Sequence, residues 1–243
     1  MSEIADAPAV LETIGLDVGY YKDLNILQEL KIKARKNQIT AILGANGVGK
    51  STALKAIFGF LQPNAGQILL DGEDITDVPT YHKILKGLAY IPQNPGVFKD
   101  MTVEENLELG GWTFRKDKKQ VRRKVEENFE RFPVLRDKRS QITGELSGGQ
   151  QRMVEIGRTL MAEPKMLLVD EPTAGLSKML AADVYEMLSG LTANHDLTIL
   201  LVDQEIRQAL KIADYVYVLE LGRNKLEGPT SEFSDLEKAF WVG

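Results

Sequence analysis

The sequence predicts an α/β fold, in which helices pack on both faces of a mostly parallel sheet and a helical subdomain is inserted into this core. Apolar runs typical of buried strands alternate along the chain with helical patterns. Between Thr102 and about Ala162 the composition changes and becomes helical and strongly charged, which indicates the insertion. These observations together set the fold class.

The individual elements follow from hydrophobic periodicity and from glycine- and proline-rich breaks. Alternating or continuous apolar patterns predict strands at residues 10–18, 24–34, 39–43, 67–70, 88–91, 166–170, 198–202 and 215–219, with a last short strand after the turn at 221–224. Helical patterns lie at residues 51–58, 150–161, 179–191 and 206–212. In the charged run at 115–131, Val121, Val125 and Phe129 recur at helical spacing and predict an amphipathic helix with a solvated face.

Composition and charge exclude several classes of protein. The 243 residues are 43% hydrophobic and 27% charged, as in an ordinary soluble protein, and the net charge of −5 gives no electrostatic case for nucleic-acid binding. The absence of cysteine excludes disulfides and thiol chemistry. No apolar run approaches the ~20 residues that span a bilayer, and the acidic start lacks a signal-peptide pattern. We therefore expect a cytoplasmic protein whose membrane role, if any, comes through a partner.

One glycine-rich stretch, Gly44-Ala45-Asn46-Gly47-Val48-Gly49-Lys50-Ser51, fits the phosphate-binding pattern G-x-x-x-x-G-K-[ST]. It follows a predicted strand and opens a predicted helix, which is the context that this motif requires. Its backbone N–H groups are expected to converge on an oxyanion at the helix N-terminus. Lys50 is expected to reach the β- and γ-phosphates, and the Ser51 hydroxyl to ligate Mg²⁺.

An acidic strand end supplies the groups that a nucleotide site needs besides a phosphate loop. Asp170 closes the apolar run at 166–170 and suits a Mg²⁺ or Mg²⁺-water ligand. Glu171 follows it and is expected to lie beside the γ-phosphate and polarise an attacking water. The alternative is that residues 170–173 merely cap the next helix.

A second glycine-containing loop, Leu146-Ser147-Gly148-Gly149-Gln150, precedes the helical pattern at 150–161. Ser147 is a predicted N-cap, and Gly148 and Gly149 expose N–H groups at the start of the helix. One nucleotide does not need two such sites from one chain. We therefore hypothesise that this loop serves the nucleotide of another copy or of a paralogue.

The phosphate loop, Gln93, the loop at 146–150 and the run at 167–172, in this order, resemble the ATPase subunit of an ABC transporter from about residue 11 to residue 243. The resemblance implies a RecA-like P-loop NTPase core with an N-terminal antiparallel β subdomain and an inserted α-helical subdomain. The core would comprise residues 9–92 and 163–243 of this single ABC ATPase domain (1–243), and the helical subdomain residues 93–162. It also implies a head-to-tail dimer that encloses two ATPs.

Site roles follow from the same resemblance. The catalytic residues would be Glu171, Gln204 and Lys50. Gln93 would be the hinge glutamine, which touches Mg²⁺ together with Ser51 and Asp170, and Tyr20 would stack on adenine, with Tyr21 equally placed by spacing. ATP-binding residues would be Tyr20, Gly44, Ala45, Asn46, Gly47, Val48, Gly49, Lys50, Ser51, Thr52, Gln93 and Asp170; the signature residues that face the partner's ATP would be Leu146, Ser147, Gly148, Gly149 and Gln150.

Within this superfamily, residues 71–76, 97–107, 172–176 and 240–243 resemble the smaller ATPase of branched-chain amino acid importers. The resemblance implies ATP hydrolysis that powers uptake of branched-chain amino acids or of a related small solute such as urea or an amide. A soluble ABC ATPase of DNA repair or translation is the alternative from another class, but such proteins usually carry two cassettes or a coiled-coil insert. A member that only binds nucleotide is disfavoured by intact Lys50, Ser51, Asp170 and Glu171.

Two positions depart from the general ABC pattern, and both are also non-standard in the branched-chain amino acid group. Asp203-Gln204 stands where most relatives have a glutamate and a histidine that contacts the γ-phosphate. Gln204 can donate through its amide but cannot carry a proton. Ser177-Lys178 replaces an aspartate and a proline after the acidic strand end. Pairing with a paralogue that carries the histidine would compensate for its loss.

Partners and location are implied by the resemblance as well. They are a second ABC ATPase subunit in a homo- or heterodimer, two membrane permease subunits and, through these, a periplasmic or extracellular solute-binding protein. The chain would lie peripherally on the cytoplasmic face of the inner or plasma membrane. Its ligands would be ATP and Mg²⁺, and no nucleic acid is expected.

Overall fold

The strands and helices of the protein are defined by a computed structural model that describes residues 7–21, 24–195 and 197–233, with the backbone only at 194 and 195. The predicted resemblance of residues 240–243 falls outside this range. The described residues group into two compact units. The first contains the residues up to Tyr90, Lys165–Glu171 and those from Tyr185 onward; the second contains Ile91–Pro164 and Pro172–Val184.

The strands in chain order are β1 (Ala9–Val18), β2 (Leu27–Arg35), β3 (Ile39–Leu43), β4 (Ala65–Leu70), β5 (Glu73–Asp74), β6 (Leu88–Ile91), β7 (Met166–Asp170), β8 (Thr198–Val202), β9 (Tyr215–Glu220) and β10 (Arg223–Pro229). The helices are α1 (Lys50–Phe58), α2 (Thr80–Leu85), α3 (Val103–Gly110), α4 (Lys118–Arg131), α5 (Pro133–Arg136), α6 (Gly148–Leu160), α7 (Lys178–His195) and α8 (Ile206–Ile212). Among the residues described, no helix combines the length and apolarity needed to cross a membrane.

A six-stranded sheet of order β10-β9-β3-β8-β7-β6 forms the centre of the α/β fold. β3, β7 and β8 run parallel to one another and are buried along their whole length, and β9 is parallel to β3. β10 pairs antiparallel with β9, as a hairpin. Because the ends of β3, β7 and β8 lie side by side, the loops that follow them meet at one edge of the sheet. The predicted mostly parallel sheet is confirmed.

A second, four-stranded antiparallel sheet has the order β2-β1-β4-β5. In β1 Leu11, Leu16 and Val18 are fully buried, and a register shift between Thr13 and Leu16 lets residues on both sides of it face inward. The predicted strand at 24–34 begins later, at Leu27, because Leu24 is exposed and makes only an isolated bridge with Tyr21. This sheet is the antiparallel β subdomain that the resemblance implied.

The second unit is helical, and its charged helix α4 is amphipathic as predicted. Val121, Val125 and Phe129 are buried on one face, and most of its lysines, arginines and glutamates face solvent. Capping boxes at Thr102 and at Ser147 start α3 and α6, so that both helix N-termini are fixed by side chains.

The compact helical unit extends beyond the sequence-based boundaries of 93–162, since it also takes in residues 172–184. Leu176 and Leu180 approach the start of α6 closely: their Cδ2 atoms lie 3.1 and 3.0 Å from where a Cβ on Gly148 and Gly149 would be. This contact joins two segments that are far apart in sequence, and no local pattern in the sequence indicates it.

Candidate functional site

The phosphate loop joins β3 to α1 at the edge of the sheet where the parallel strands end. Gly49 is the N-cap residue of α1 with φ of 105°, and a Cβ there would lie 2.5 Å from Leu27 Cδ2. Gly44 has φ of 153°, and its Cβ would lie 2.6 Å from the Leu219 carbonyl oxygen. Both positions therefore require glycine. Ala45, Asn46 and Gly47 between them are exposed, Val48 packs partly against the core, and Thr52 is buried.

Lys50 is buried at the first position of α1, and its side chain curls over the loop. Nζ donates hydrogen bonds to the carbonyl oxygens of Gly44 (2.9 Å) and Ala45 (3.1 Å). Burial lowers the pKa of Lys50, and the nearby carboxylates of Glu171, Asp203 and Asp170 oppose that shift. The ammonium group is therefore placed on the loop by two carbonyls, within the field of three acidic groups.

Asp170, at the end of β7, is buried and is held by two hydroxyl groups. Ser51 Oγ donates to its Oδ1 at 2.7 Å, and the Tyr90 hydroxyl donates to its Oδ2 at 2.9 Å. Burial and the charge of Asp170 raise the pKa of Tyr90, so this phenol remains a protonated donor. The structure thus brings together Ser51 and Asp170, two of the three residues predicted to hold Mg²⁺.

The Ser51–Asp170 pair is a suitable donor set for Mg²⁺. A hydroxyl and a carboxylate oxygen are hard oxygen ligands, and Mg²⁺ is typically held by one or two such protein groups plus phosphate oxygens and water. The Ser51 hydroxyl hydrogen points to Asp170 here, which leaves a lone pair of Oγ available to a cation.

Glu171 follows Asp170 in a left-handed backbone conformation, with φ of 42°. Its backbone N–H donates to the Val202 carbonyl oxygen at 2.8 Å, so the turn is anchored to the end of β8. A left-handed conformation is costly for a residue with a Cβ and persists where surrounding structure enforces it, often at functional sites. The half-buried Glu171 is close enough to Lys50 for their charges to interact.

Gln204 lies exposed on the loop after β8, and its neighbour Asp203 is buried. One carboxylate oxygen of Asp203 accepts hydrogen bonds from the backbone N–H groups of Gln204 (2.7 Å) and Glu205 (2.9 Å). The other accepts from the Tyr185 hydroxyl at 2.7 Å. Burial raises the pKa of Asp203, and these donors oppose the shift. Asp203 therefore fixes the backbone of the loop that carries Gln204.

Tyr20 and Tyr21 follow the end of β1, and their side chains are 54% and 75% exposed. The preceding Gly19 allows a close backbone approach, since a Cβ there would lie 2.0 Å from the Leu24 carbonyl oxygen. Either exposed ring is of a type on which an adenine can stack. The geometry does not choose between the two tyrosines.

The signature residues and Gln93 lie in the second unit. Ser147 caps α6: its Oγ accepts from the Gln150 N–H at 3.3 Å, while Gln150 Oε1 accepts from the Ser147 N–H at 3.2 Å. Ser147 and Gly148 are exposed, whereas Leu146 and Gly149 are buried and anchor the loop. The side chain of Gln93 is exposed, and its carbonyl oxygen accepts a hydrogen bond from Arg152.

Sequence reasoning missed three residues that shape the site, namely Tyr90, Asp203 and Tyr185. The apolar run at 88–91 predicts only a strand for Tyr90, whose hydroxyl is the one polar side-chain group in that run. Asp203 was noted only as a departure from the general pattern. Tyr185 lies inside an ordinary helical pattern, and no feature of the sequence indicates its contact with Asp203.

Comparison with known proteins identifies the family. The sequence profile described as ABC transporter matches residues 27–174. A probable branched-chain amino acid transport ATP-binding protein, LivF, of Archaeoglobus fulgidus is 39% identical over 94% of this chain and 96% of its own length. A high-affinity branched-chain amino acid transport ATP-binding protein, BraG, of Pseudomonas aeruginosa is 40% identical over 84% and 86%.

Solved structures agree with these relatives. The ADP conformation of an ATP-binding cassette of an ABC transporter superposes with a TM-score of 0.84 at 31% identity, over 96% of each chain. The predicted resemblance and the predicted P-loop NTPase fold are confirmed. The chain belongs to the ABC transporter family, as one of its ATP-binding cassettes.

Proposed function

We propose that this chain is the ATP-hydrolysing subunit of an ABC importer for branched-chain amino acids or a related small solute. ATP hydrolysis is the function of the family. The observation that carries the catalytic part is the contact between Ser51 Oγ and Asp170 Oδ1 at 2.7 Å, next to Lys50 at the start of α1. The names of the two similar transport proteins support the solute class.

The phosphates of ATP bind to the loop at 44–52. Backbone N–H groups of the loop and the N-terminal end of α1 favour negative charge at this place. The Lys50 ammonium group exchanges the carbonyls of Gly44 and Ala45 for β- and γ-phosphate oxygens. Ser51, Asp170 and Gln93 would hold Mg²⁺, which would supply positive charge to the phosphates.

Glu171 orients the water that attacks the γ-phosphate. A bond forms between the water oxygen and the γ-phosphorus, the bond from that phosphorus to the ADP oxygen breaks, and the water proton passes to the Glu171 carboxylate. The anchored left-handed turn fixes the start of this side chain. Gln204 donates a hydrogen bond from its amide to a γ-phosphate oxygen, on a backbone that Asp203 holds in place.

The helical insertion at 93–162 presents the signature loop to the ATP of a second subunit. Ser147 and Gly148 are exposed at the start of the long helix α6, whose N-terminal end favours an anion that comes from outside the chain. The complete assembly then contains a homo- or heterodimer of ATPase subunits, two permease subunits and a solute-binding protein. The ATPase lies peripherally on the cytoplasmic face of the membrane, and Tyr20 or Tyr21 stacks on adenine.

The catalytic part is tested by phosphate release from the purified chain with ATP and Mg²⁺. Lys50→Ala and Glu171→Gln abolish turnover, whereas Glu171→Gln still binds a fluorescent ATP analogue. Glu186→Gln, which changes an exposed glutamate on α7, is the matched control and retains activity. Hydrolysis by Glu171→Gln at the wild-type rate contradicts the role of Glu171.

The solute is tested separately in vesicles that contain the complete transporter. Uptake of labelled leucine that depends on ATP and is abolished by Glu171→Gln supports a branched-chain amino acid importer. Uptake of labelled urea without uptake of leucine, isoleucine or valine moves the assignment to the other small-solute class and leaves the ATPase role intact.

A further inference from the structure

A buried ion pair on the signature helix α6 reaches the segment that contains the hinge glutamine. Arg152 and Glu155 lie one helical turn apart, are each 1% exposed, and are joined from Nη1 to Oε2 at 2.5 Å. Both belong to the same compact unit as residues 91–96. Buried charges are costly unless they are paired and hydrogen-bonded, so the remaining contacts of this pair are informative.

Those contacts all go to the backbone of residues 92–96. The guanidinium group of Arg152 donates to the Pro92 carbonyl oxygen at 2.7 Å and to that of Gln93. Glu155 Oε1 accepts from the Gly96 N–H at 2.7 Å. A second arginine, Arg158, donates to the Gly96 carbonyl oxygen at 2.7 Å. The segment is thus held at both ends by side chains from one helix.

The segment at 92–96 has no regular secondary structure of its own, so these bonds determine its position. The next residues are fixed to a different helix, because the Asn106 amide on α3 bonds to both the N–H and the carbonyl oxygen of Phe98 at 2.9 Å. The attachment to α6 therefore acts on the part of the loop that contains Gln93. It requires the forked geometry of arginine, which bonds two carbonyls and a carboxylate at once.

A role in stability alone is a weak explanation for this arrangement. Buried ion pairs can often be replaced by apolar residues of similar volume with little loss of stability, and in some proteins they serve to select one geometry. Here the geometry that is fixed is that of Gln93 relative to the helix whose N-terminus carries Ser147 and Gly148.

We propose that Arg152 and Glu155 are positioning residues that fasten the hinge segment 92–96 to the signature helix, so that Gln93 and the signature loop at 146–150 move as one body. The proposal rests on the proposed function for the roles of Gln93 and the signature loop. We therefore expect any displacement of the signature loop to be accompanied by a displacement of Gln93. The attachment thereby couples the two nucleotide sites of the dimer.

The first test measures hydrogen exchange and does not depend on activity. Amide exchange of residues 93–98 is followed by mass spectrometry in the full chain, in Arg152→Met/Glu155→Met and in Arg123→Met. Arg123 is an exposed arginine of α4 in the same unit and serves as the matched control. We expect exchange in the segment to rise about tenfold in the double variant, with α4 unchanged. Unchanged exchange at 93–98 overturns the proposal.

The second test separates positioning from a general loss of structure. ATP affinity of the P-loop and KM stay at the wild-type value in the double variant, while kcat and the cooperativity of hydrolysis with ATP concentration fall, the former about tenfold. If the double variant does not fold, Arg152→Lys replaces it, because lysine retains the charge beside Glu155 but lacks the forked guanidinium group. We expect smaller decreases in kcat and in cooperativity for this variant. Normal kcat and cooperativity in a variant with faster exchange also overturn the proposal.

The two tests distinguish this proposal from the proposed function. If the wild-type chain hydrolyses no ATP, the proposed function fails, and the exchange experiment still decides whether Arg152 and Glu155 hold the segment. If wild-type hydrolysis is normal and the variants match it in both experiments, only the positioning role fails.

Discussion

Replacing Tyr90 by phenylalanine removes one hydroxyl that holds Asp170 and leaves the ring in place. The hydroxyl donates to Oδ2 of the buried Asp170 at 2.9 Å. The ring itself stacks on Phe58 with centroids 5.3 Å apart and meets Phe60 edge-on at 5.6 Å, and phenylalanine retains these contacts. A hydrogen bond to a charged partner contributes about 1.5–3 kcal/mol. We therefore expect Tyr90→Phe to lower the free energy of unfolding by about 2 kcal/mol.

The assay is thermal unfolding followed by circular dichroism. For a chain of this length, a loss of about 2 kcal/mol lowers Tm by about 4–8 °C. Tyr81→Phe is the control, because it makes the same chemical change at a side chain that is 62% exposed. If Tyr90→Phe and Tyr81→Phe unfold at the same temperature, the hydrogen bond to Asp170 does not stabilise the site.

Three further predictions concern other parts of the chain. Lys83 is fully buried, its Nζ donates to the Ile57 carbonyl oxygen at 3.0 Å, and burial lowers its pKa to about 8. Between about pH 8 and the usual pKa of lysine, the unfolded chain binds more protons than the folded chain, so the free energy of unfolding rises with pH. Urea titrations at several pH values should therefore show wild-type stability rising relative to Lys83→Met by at most about 1.4 kcal/mol per pH unit. Parallel plots of stability against pH for the two proteins refute this. Ser147→Ala removes the N-cap of α6 and costs about 1 kcal/mol of unfolding free energy, which the same titration measures. Phe129→Ala leaves a cavity in the helical unit and costs about 3–5 kcal/mol; a loss below about 1 kcal/mol contradicts the packing described.

The sequence predicts those parts of the site that depend on local chain geometry. The glycines permit backbone conformations that a Cβ would block, and the strand and the helix on either side fix the two ends of the loop, so the arrangement of residues 44–51 follows from the motif in its context. The apolar run at 166–170, which ends in an acid, likewise predicts that Asp170 closes a strand. The proximity of Ser51 and Asp170 then follows from parallel strands that end at one edge of a sheet.

Contacts between distant segments were not predictable from one sequence. Tyr185 reaches Asp203 from α7, and Arg152 reaches residues 92 and 93 from α6. In each case the side chain lies in a regular helical pattern whose periodicity indicates which face is buried, but not which backbone it meets. The buried Arg152 illustrates this, since its charge predicts an exposed position.

Two predicted segment boundaries differ from those in the structure, because contacts of the side chains outweigh local sequence preference. Apolar Leu24 led to a strand that begins too early, and the structure leaves this residue outside β2 because nothing covers its side chain. Similarly, residues 172–184 follow an acidic strand end of the core, yet their leucines pack on the start of α6. In both cases the boundary depends on which residues pack against the segment, and a single sequence does not indicate those residues.

The central claim is that each ATP lies between the P-loop of one subunit and the signature loop of another. The most direct measurement is phosphate release from a mixture of two inactive variants, Lys50→Ala with a defective P-loop and Ser147→Arg with a defective signature loop. A mixed dimer contains one site with both parts intact, so the account predicts that mixing restores ATP hydrolysis. Full activity of Ser147→Arg alone, or a mixture as inactive as its components beside an active wild type, contradicts it.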